Sequence, residues 1–207
     1  SANNGANWTE SDKGISFMEV TSMQKMGKAL FASTLGNGVF RSDDNGNNWR
    51  RIDSAGLATS NSKNVHALIG KAKNLFAGTD GGVYVSADSG KTWAWSGTSG
   101  GNCFLMNGNT LIAGTAYTDD DGSNWSFTGS GSGSQCLAVW GSTIFSGRSN
   151  GLYKSDDNAR TFTSIGGSLP SINALAVIDN ILYAGTDQGL YISFNLGASW
   201  SALSGPT

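Results

Sequence analysis

Ser86-Ala-Asp-Ser-Gly-Lys-Thr-Trp93 is one of six copies of the phrase S/T-x-D/N-x-G/A-x-x-W/F. The others are Ser1–Trp8, Ser42–Trp49, Thr118–Trp125, Ser155–Phe162 and Ser193–Trp200. Their closing aromatics, Trp8, Trp49, Trp93, Trp125, Phe162 and Trp200, follow one another at 41, 44, 32, 37 and 38 residues. Self-similarity at a near-constant period marks a repeat architecture before any local reading is made. The composition of the phrase has a physical reason. Its third residue (Asn3, Asp44, Asp88, Asp120, Asp157, Asn195) is a short acceptor for turn backbone N–H groups. Its fifth, Gly in five copies, permits a backbone angle other residues resist. Its aromatic supplies a large ring for burial between repeats.

The stretch before each phrase repeats too. Asn74-Leu-Phe-Ala-Gly-Thr-Asp-Gly-Gly-Val-Tyr-Val-Ser86 matches Ile181-Leu-Tyr-Ala-Gly-Thr-Asp-Gln-Gly-Leu-Tyr-Ile-Ser193, with related versions at Leu30–Ser42 and Ile144–Ser155. Two short apolar runs around a Gly-containing turn read as a β-hairpin. Another apolar run lies upstream (Val65–Ile69, Cys103–Met106, Cys136–Trp140, Ala174–Ile178), and a fourth begins at the closing aromatic. No segment carries a convincing helical period. Four antiparallel strands per unit, here a to d, repeated radially, predict an all-β fold, the β-propeller.

The phrase resembles the Asp-box, or BNR, repeat of sialidases, xyloglucan-cleaving glycosidases, sortilin-type receptors and photosystem II assembly factors. The resemblance covers essentially the whole chain. It implies that each box forms the c–d turn on the side away from the ligand face, and it says little about activity. The boxes with Asn3, Asn195, or Ala159 with Phe162 depart from the pattern, and looser turns are expected there.

Units fall near residues 15–52, 64–96, 102–128, 135–165 and 172–203, within one domain spanning 1–207. Five blades are expected, with a six-position ring or a segment of a larger propeller as alternatives. The box at Ser1–Trp8 and the d-like strand after it are surplus to five complete units, and self-association follows if the ring is incomplete. In unit three only Ala116 and Tyr117 separate Gly114-Thr115 from Thr118, so its b–c hairpin is short and leaves a notch at the rim.

Composition excludes several functions. Net charge is −2, and there is no basic stripe to hold nucleic acid. No apolar run is long enough for a membrane-spanning helix. Low charge, 14% of residues, with abundant small polar side chains suggests a secreted or surface protein. Cys103 and Cys136 occupy equivalent strand-a positions, aligned with Ala67 and Ala174; they read as small side chains, with a disulfide left open. One histidine and two cysteines make no zinc set. Asp119-Asp120-Asp121-Gly122 lacks the spacing of a calcium loop. No metal or cofactor is expected. The sequons at Asn7 and Asn124 lie inside boxes.

A glycosidase needs a pair of carboxylates about the scissile bond. Glu10 and Glu19 are the only glutamates, and eight of thirteen aspartates belong to boxes. Four of the five arginines (Arg41, Arg50, Arg51, Arg160) lie in or beside the c strand, box and d strand, so no sialidase-like arginine triad assembles. Catalytic residues are not assigned. Asp80 and Asp187, equivalent b–c loop residues, are the acid or base candidates of an alternative glycosidase reading. The expected ligand face carries a polar strand-a column, Ser16, His66, Asn102, Gln135 and Asn173. Around it lie Asn37, Asp80, Arg148, Asn150, Asp187 and Gln188 of the b–c loops, then Trp95 and the Gly/Ser tracts Ser96–Gly101 and Gly129–Ser134 of the d–a loops. Neutral amides beside an aromatic suit a glycan, and Trp with Arg also suits a protein partner. A third reading is an architectural segment of a larger surface protein.

Overall fold

The computed structural model describes residues 1, 3–53, 55–129, 133–165 and 169–203. Its strands form five four-stranded antiparallel sheets, each running a-b-c-d in chain order, which are the blades of a β-propeller. Blade 1 is β1 (Val20–Met26), β2 (Ala29–Thr34), β3 (Gly38–Ser42) and β4 (Arg50–Arg51). A four-residue helix, α1 (Ser60–Lys63), follows, closed by a reciprocal cap between Thr59 and Ser62. Blade 2 is β5 (Val65–Lys71), β6 (Asn74–Thr79), β7 (Gly82–Ser86) and β8 (Ala94–Trp95). Blade 3 is β9 (Phe104–Asn107), β10 (Thr110–Ala113), β11 (Ala116–Thr118) and β12 (Ser126–Phe127). Blade 4 is β13 (Cys136–Trp140), β14 (Thr143–Arg148), β15 (Gly151–Ser155) and β16 (Thr163–Ile165). Blade 5 is β17 (Ile172–Ile178), β18 (Ile181–Thr186), β19 (Gly189–Ser193) and β20 (Ser201–Leu203).

Every box forms the same turn, and those within the blades connect strands c and d. In the blade 2 copy, Ser86 Oγ donates to Asp88 Oδ1 at 2.8 Å and accepts the Gly90 N–H at 2.7 Å. Asp88 Oδ1 accepts the Thr92 N–H at 2.9 Å, and Oδ2 accepts the Thr92 hydroxyl at 2.7 Å. Residues four and five sit in the left-handed region, Ser89 at φ 62° and Gly90 at 88°. The departures do not loosen the turn, contrary to the sequence expectation. Asn195 keeps its acceptor on the Ser199 N–H (2.9 Å) and turns its amide toward the Ser199 hydroxyl (2.9 Å). Ala159 adopts φ 67°, fully buried, and its N–H reaches Ser155 Oγ at 2.9 Å. The surrounding bonds impose the left-handed angle, and the cost is strain rather than looseness.

Each box from blade 2 to blade 5 seats on the blade before it. A Cβ added to Gly90 would meet Ile52 of the blade 1 end, one at Gly122 would meet Phe76 of blade 2, and one at Gly197 would meet Leu152 and Ile165 of blade 4. Phe162 likewise packs with Ile112 of blade 3. The core is therefore a series of inter-blade seams rather than one central cluster. Trp49, Trp93 and Phe162 are buried; Trp8 is 81% exposed. The box at Ser1–Trp8 has its turn bonds but no blade beneath it among the described residues, and residues 8–11 form no strand. The segment after it stands in for the end of a preceding blade: Trp49 N–H donates to Lys13 O at 2.7 Å, as Trp93 N–H does to Ala55 O at 2.9 Å.

Blades pack in order, β1 on β5, β5 on β9, β9 on β13, β13 on β17, and among the described residues no strand pair between blade 5 and blade 1 packs to that extent. Exposure shows the same opening. Val39, Val83 and Leu152 are fully buried at the second residue of their c strands, whereas the blade 5 equivalent, Leu190, is 41% exposed. Among the described residues the five blades stand in an open row, and blade 5 exposes the face that blades 1, 2 and 4 bury.

Candidate functional site

Sheet register fixes which residues share the end opposite the boxes. Val65 pairs with Thr79 and Ile172 with Thr186, each followed by a bulge before the next pair, at Ala67 and Ala174. The bulge leaves one extra residue unpaired and re-aims its side chain. In blade 2 that residue is His66, and in blade 5 it is Asn173. Each turns to the aspartate of its own b–c turn. His66 Nε2 lies 2.6 Å from Asp80 Oδ1, and Asn173 Nδ2 donates to Asp187 Oδ1 at 2.6 Å. Asn64 Nδ2 adds a 2.7 Å bond to Asp80 Oδ2. The Asn64 amide, with His66 second, holds the Asp80 carboxyl below the usual carboxylate range. An ionised carboxylate with satisfied oxygens suits an acceptor or an orienting group better than a general acid.

Trp95 belongs to the same patch. It ends β8 and is 59% exposed, opposite Tyr84 on β7. A Cβ on Gly82 would come within 2.9 Å of its Nε1, so the indole lies on Gly82 backbone, two residues from Asp80. Gly82, at φ +106°, is thus required for both its angle and the approach of the ring. Blade 2 therefore presents a half-exposed histidine, a carboxylate, an amide and an open aromatic face around one turn.

Gln135 and Asn102 are exposed and hold the positions of His66 in blades 4 and 3, since Gln135 N–H donates to Gly147 O and Gly114 N–H to Cys103 O. Gln135 Oε1 accepts the Ser171 hydroxyl across the blade 4–blade 5 seam at 3.3 Å. Ser16 is a correction. It precedes β1, and its hydroxyl caps Asp12 O at 3.1 Å. Its place in the column is taken by Thr21, at the β1 bulge, whose hydroxyl donates to Val65 O of blade 2 at 2.6 Å. Thr21 is hidden in the sequence because the surplus segment ahead of β1 looks like part of strand a.

Arg148 is the second correction. It ends β14, but its side chain is 1% exposed, so it is not open to a ligand as a surface arginine would be. Its guanidinium stacks 4.1 Å above the Tyr153 ring, and Nε donates to Ser146 Oγ at 3.0 Å. Ser146 and Ser134 share a 2.7 Å bond, and Ser134 Oγ reaches Gly114 O at 2.9 Å. Gly114 lies in the short blade 3 hairpin, where Ala113 pairs with Ala116 across Gly114-Thr115. The predicted shortening is real; the chain of bonds from Gly114 to Arg148 bridges the seam beside it. The tract Gly129–Ser134 lies partly outside the described residues.

Cys103 and Cys136 are free thiols. Burial pushes Cys103 up to about 12, with Cys136 nearby adding to the rise, and Cys136 up to about 11. Their sulfurs face backbone carbonyls of the next blade, Ser134 O at 3.4 Å and Ile172 O at 3.7 Å. Among the described residues no group of three or more His, Cys, Asp or Glu is placed to hold a metal, and no helix is long and apolar enough to cross a membrane. Asp80 and Asp187 sit in separate pairs on blades 2 and 5, with no hydrogen bond between them.

No family model matches the chain, and no curated protein matches it. Solved structures do. The extracellular domain of the putative one component system BT4673 from B. thetaiotaomicron superposes with TM-score 0.70 at 19% identity, over 84% of this chain and 27% of that one. An ancestral GH74 enzyme gives 0.71 at 18% identity, over 94% and 32%. YCF48 bound to D1 peptide gives 0.68 at 12% identity, over 94% and 71%. At these identities the likeness shows the propeller fold. This chain spans about a quarter to a third of the BT4673 and GH74 chains.

Proposed function

We propose that the protein is a non-catalytic binding module of the Asp-box type, one domain over residues 1–207, working outside the cell or at its surface. Its ligand is a polar molecule, a glycan first, taken at the end opposite the boxes. The observation that carries this reading is the blade 2 patch, where His66, Asp80 and Asn64 form one hydrogen-bonded cluster beside the open face of Trp95. An aromatic plane stacks on the apolar face of a sugar ring while neighbouring amide, imidazole and carboxylate groups bond its hydroxyls. Asn173 with Asp187 repeats the polar half of that arrangement on blade 5. The extracellular domain of BT4673 and the ancestral GH74 enzyme among the neighbours support the setting without fixing the ligand.

A protein partner is the second reading, favoured by the peptide-bound neighbour and by the exposure of Trp95. The glycosidase reading has Asp80 as its best acid or base, and the lowered carboxyl disfavours the acid role.

The test is a glycan array on the purified chain, read afterwards for cleaved sugars. Binding without cleavage is expected, lost in His66→Ala with Asn173→Ala at unchanged melting temperature. A large fall in melting temperature would make these residues structural, absence of any bound glycan would move the ligand to protein, and cleavage would overturn the non-catalytic reading.

A further inference from the structure

Each seated box in the chain touches fixed positions of the blade before it. Gly122 approaches the strand-b aromatic Phe76; Gly197 approaches Leu152 of strand c and Ile165 of strand d; Gly90 approaches Ile52, the residue after strand d. On blade 5 the corresponding positions are Tyr183, Leu190 and Leu203, by the pairing of β18, β19 and β20. Phe31, Phe76, Ile112 and Phe145 are at most 1% exposed where blade 5 has the half-buried Tyr183. Leu190 is 41% exposed and Leu203 44%. The second residue of the blade 3 box, Asp119, takes Arg160 from the next box, so this position faces the following blade. In the blade 5 box that residue is Phe194, 66% exposed, where the other boxes carry Ala or Asp. Among the described residues an apolar seat thus lies open on blade 5.

The opposite end of the row carries its counterpart. The Ser1–Trp8 box has its turn bonds, with Asn7 N–H on Asn3 Oδ1 at 2.9 Å and Gly5 N–H on Ser1 Oγ at 2.8 Å. A Cβ on Gly5 would meet only its own Trp8, where the equivalent atoms of Gly90, Gly122 and Gly197 would meet the preceding blade. A box without a seat and a seat without a box are the two halves of one interface that the chain already builds between its blades.

We propose that the chain associates head to tail, the Ser1–Trp8 box of one copy seating on Tyr183, Leu190 and Leu203 of a second copy. The two surfaces differ, so the contact is heterologous and adds copies in one sense, closing a ring or growing a row. Trp8 is the anchor, as a large exposed aromatic entering an apolar seat at the centre of the contact.

The experiment is sedimentation velocity on the full chain over a wide concentration range, with Trp8→Ala and with Leu190→Glu/Phe194→Glu. All three side chains are exposed in the single chain, so thermal unfolding at dilution serves as the folding control. Wild type is expected to associate. Trp8→Ala weakens the contact at least about thirtyfold. The two variants, each monomeric alone, form a dimer when mixed, because one keeps its box and the other keeps its seat. A wild type that stays monomeric at every concentration would overturn the proposal and leave the seat to another occupant, such as further blades of a longer chain. Undiminished association of Trp8→Ala, or a mixture that stays monomeric, would overturn it as well.

Discussion

Gly90→Ala and Ala159→Gly exchange the same two residues at the same box position in opposite directions, and the structure assigns them unequal costs. Gly90 sits at φ +88°, where an L-residue carries about 1–2 kcal/mol of steric strain. Its new Cβ would clash with Ile52 Cδ1, and Ile52 is held in the blade 1–blade 2 seam with Leu57 and Trp93. Overpacking at such a site adds about 1–3 kcal/mol. The stiffer unfolded chain offsets about 0.4–1 kcal/mol of this, so Gly90→Ala should destabilise by about 1–5 kcal/mol. Ala159→Gly relieves strain of about 1–2 kcal/mol, since Ala159 has φ 67°. It also removes a methyl buried with Ile112, Ile144 and Phe162, worth about 0.8 kcal/mol, and frees the unfolded chain by about 0.4–1 kcal/mol. These terms nearly cancel, and the net change should stay within about 1 kcal/mol. The assay is equilibrium urea unfolding followed by tryptophan fluorescence and far-ultraviolet circular dichroism together. Coincident transitions are required, because a chain of repeats can lose cooperativity. If Gly90→Ala cost no more than Ala159→Gly, seating of the box on the preceding blade would not be what stabilises the seam.

Other outcomes follow from the same geometry. Trp93→Ala, removing a ring 5% exposed between blades 1 and 2, should cost about 3–5 kcal/mol in the same unfolding assay. Box carboxylates should dominate acid unfolding. Asp88, held by the Thr92 N–H first, and Asp120, held first by the Asn124 amide, are both lowered to about 2. Their folded values lie below the unfolded value of about 3.9, so their stabilisation is complete above that pH and is lost as pH falls toward 2. A melting-temperature profile should be flat near neutrality and fall steeply in acid. Asp120→Asn, copying what Asn195 does in blade 5, should preserve the fold and make that acid limb shallower. Arg148→Ala should destabilise by about 2–4 kcal/mol, losing its stack on Tyr153 and its bond into the Ser146–Ser134 chain, without changing ligand binding.

The fold was legible because the box writes its own hydrogen bonds into the sequence. A hydroxyl, an acceptor two residues on and Gly two beyond that determine a turn closed by local contacts, and only the closing aromatic needs the neighbouring blade. That is why Asn3, Asn195 and Ala159 could depart from the pattern without changing the turn. Ring closure was less legible, because it depends on how each seam rotates one blade against the next. No local motif encodes that rotation. What marks the opening is a difference in environment: Leu190 is as apolar as Val39, Val83 and Leu152, and exposure alone separates it from them.

The site shows the same division between local and tertiary causes. That His66 meets Asp80 and Asn173 meets Asp187 is accessible from spacing, because each pair lies within one hairpin and the bulge that joins them is a property of two strands. Arg148 and Ser16 were misplaced by the same reasoning. Arg148 is a strand-end residue like Thr79, whose hydroxyl merely closes its own turn at 2.8 Å. Its side chain is instead held inward by Ser146 Oγ and the Tyr153 ring, beside a blade 3 hairpin too short to carry an equivalent of Asp80. The shortening and the arginine are separate in sequence and act on one seam in space, where buried serines and an aromatic stack make a charged side chain tolerable. An arginine among ligand candidates is thus accounted for by its own seam, and Arg148→Thr, which copies Thr79 but cuts the bond to Ser146 and the stack on Tyr153, should lower the melting temperature.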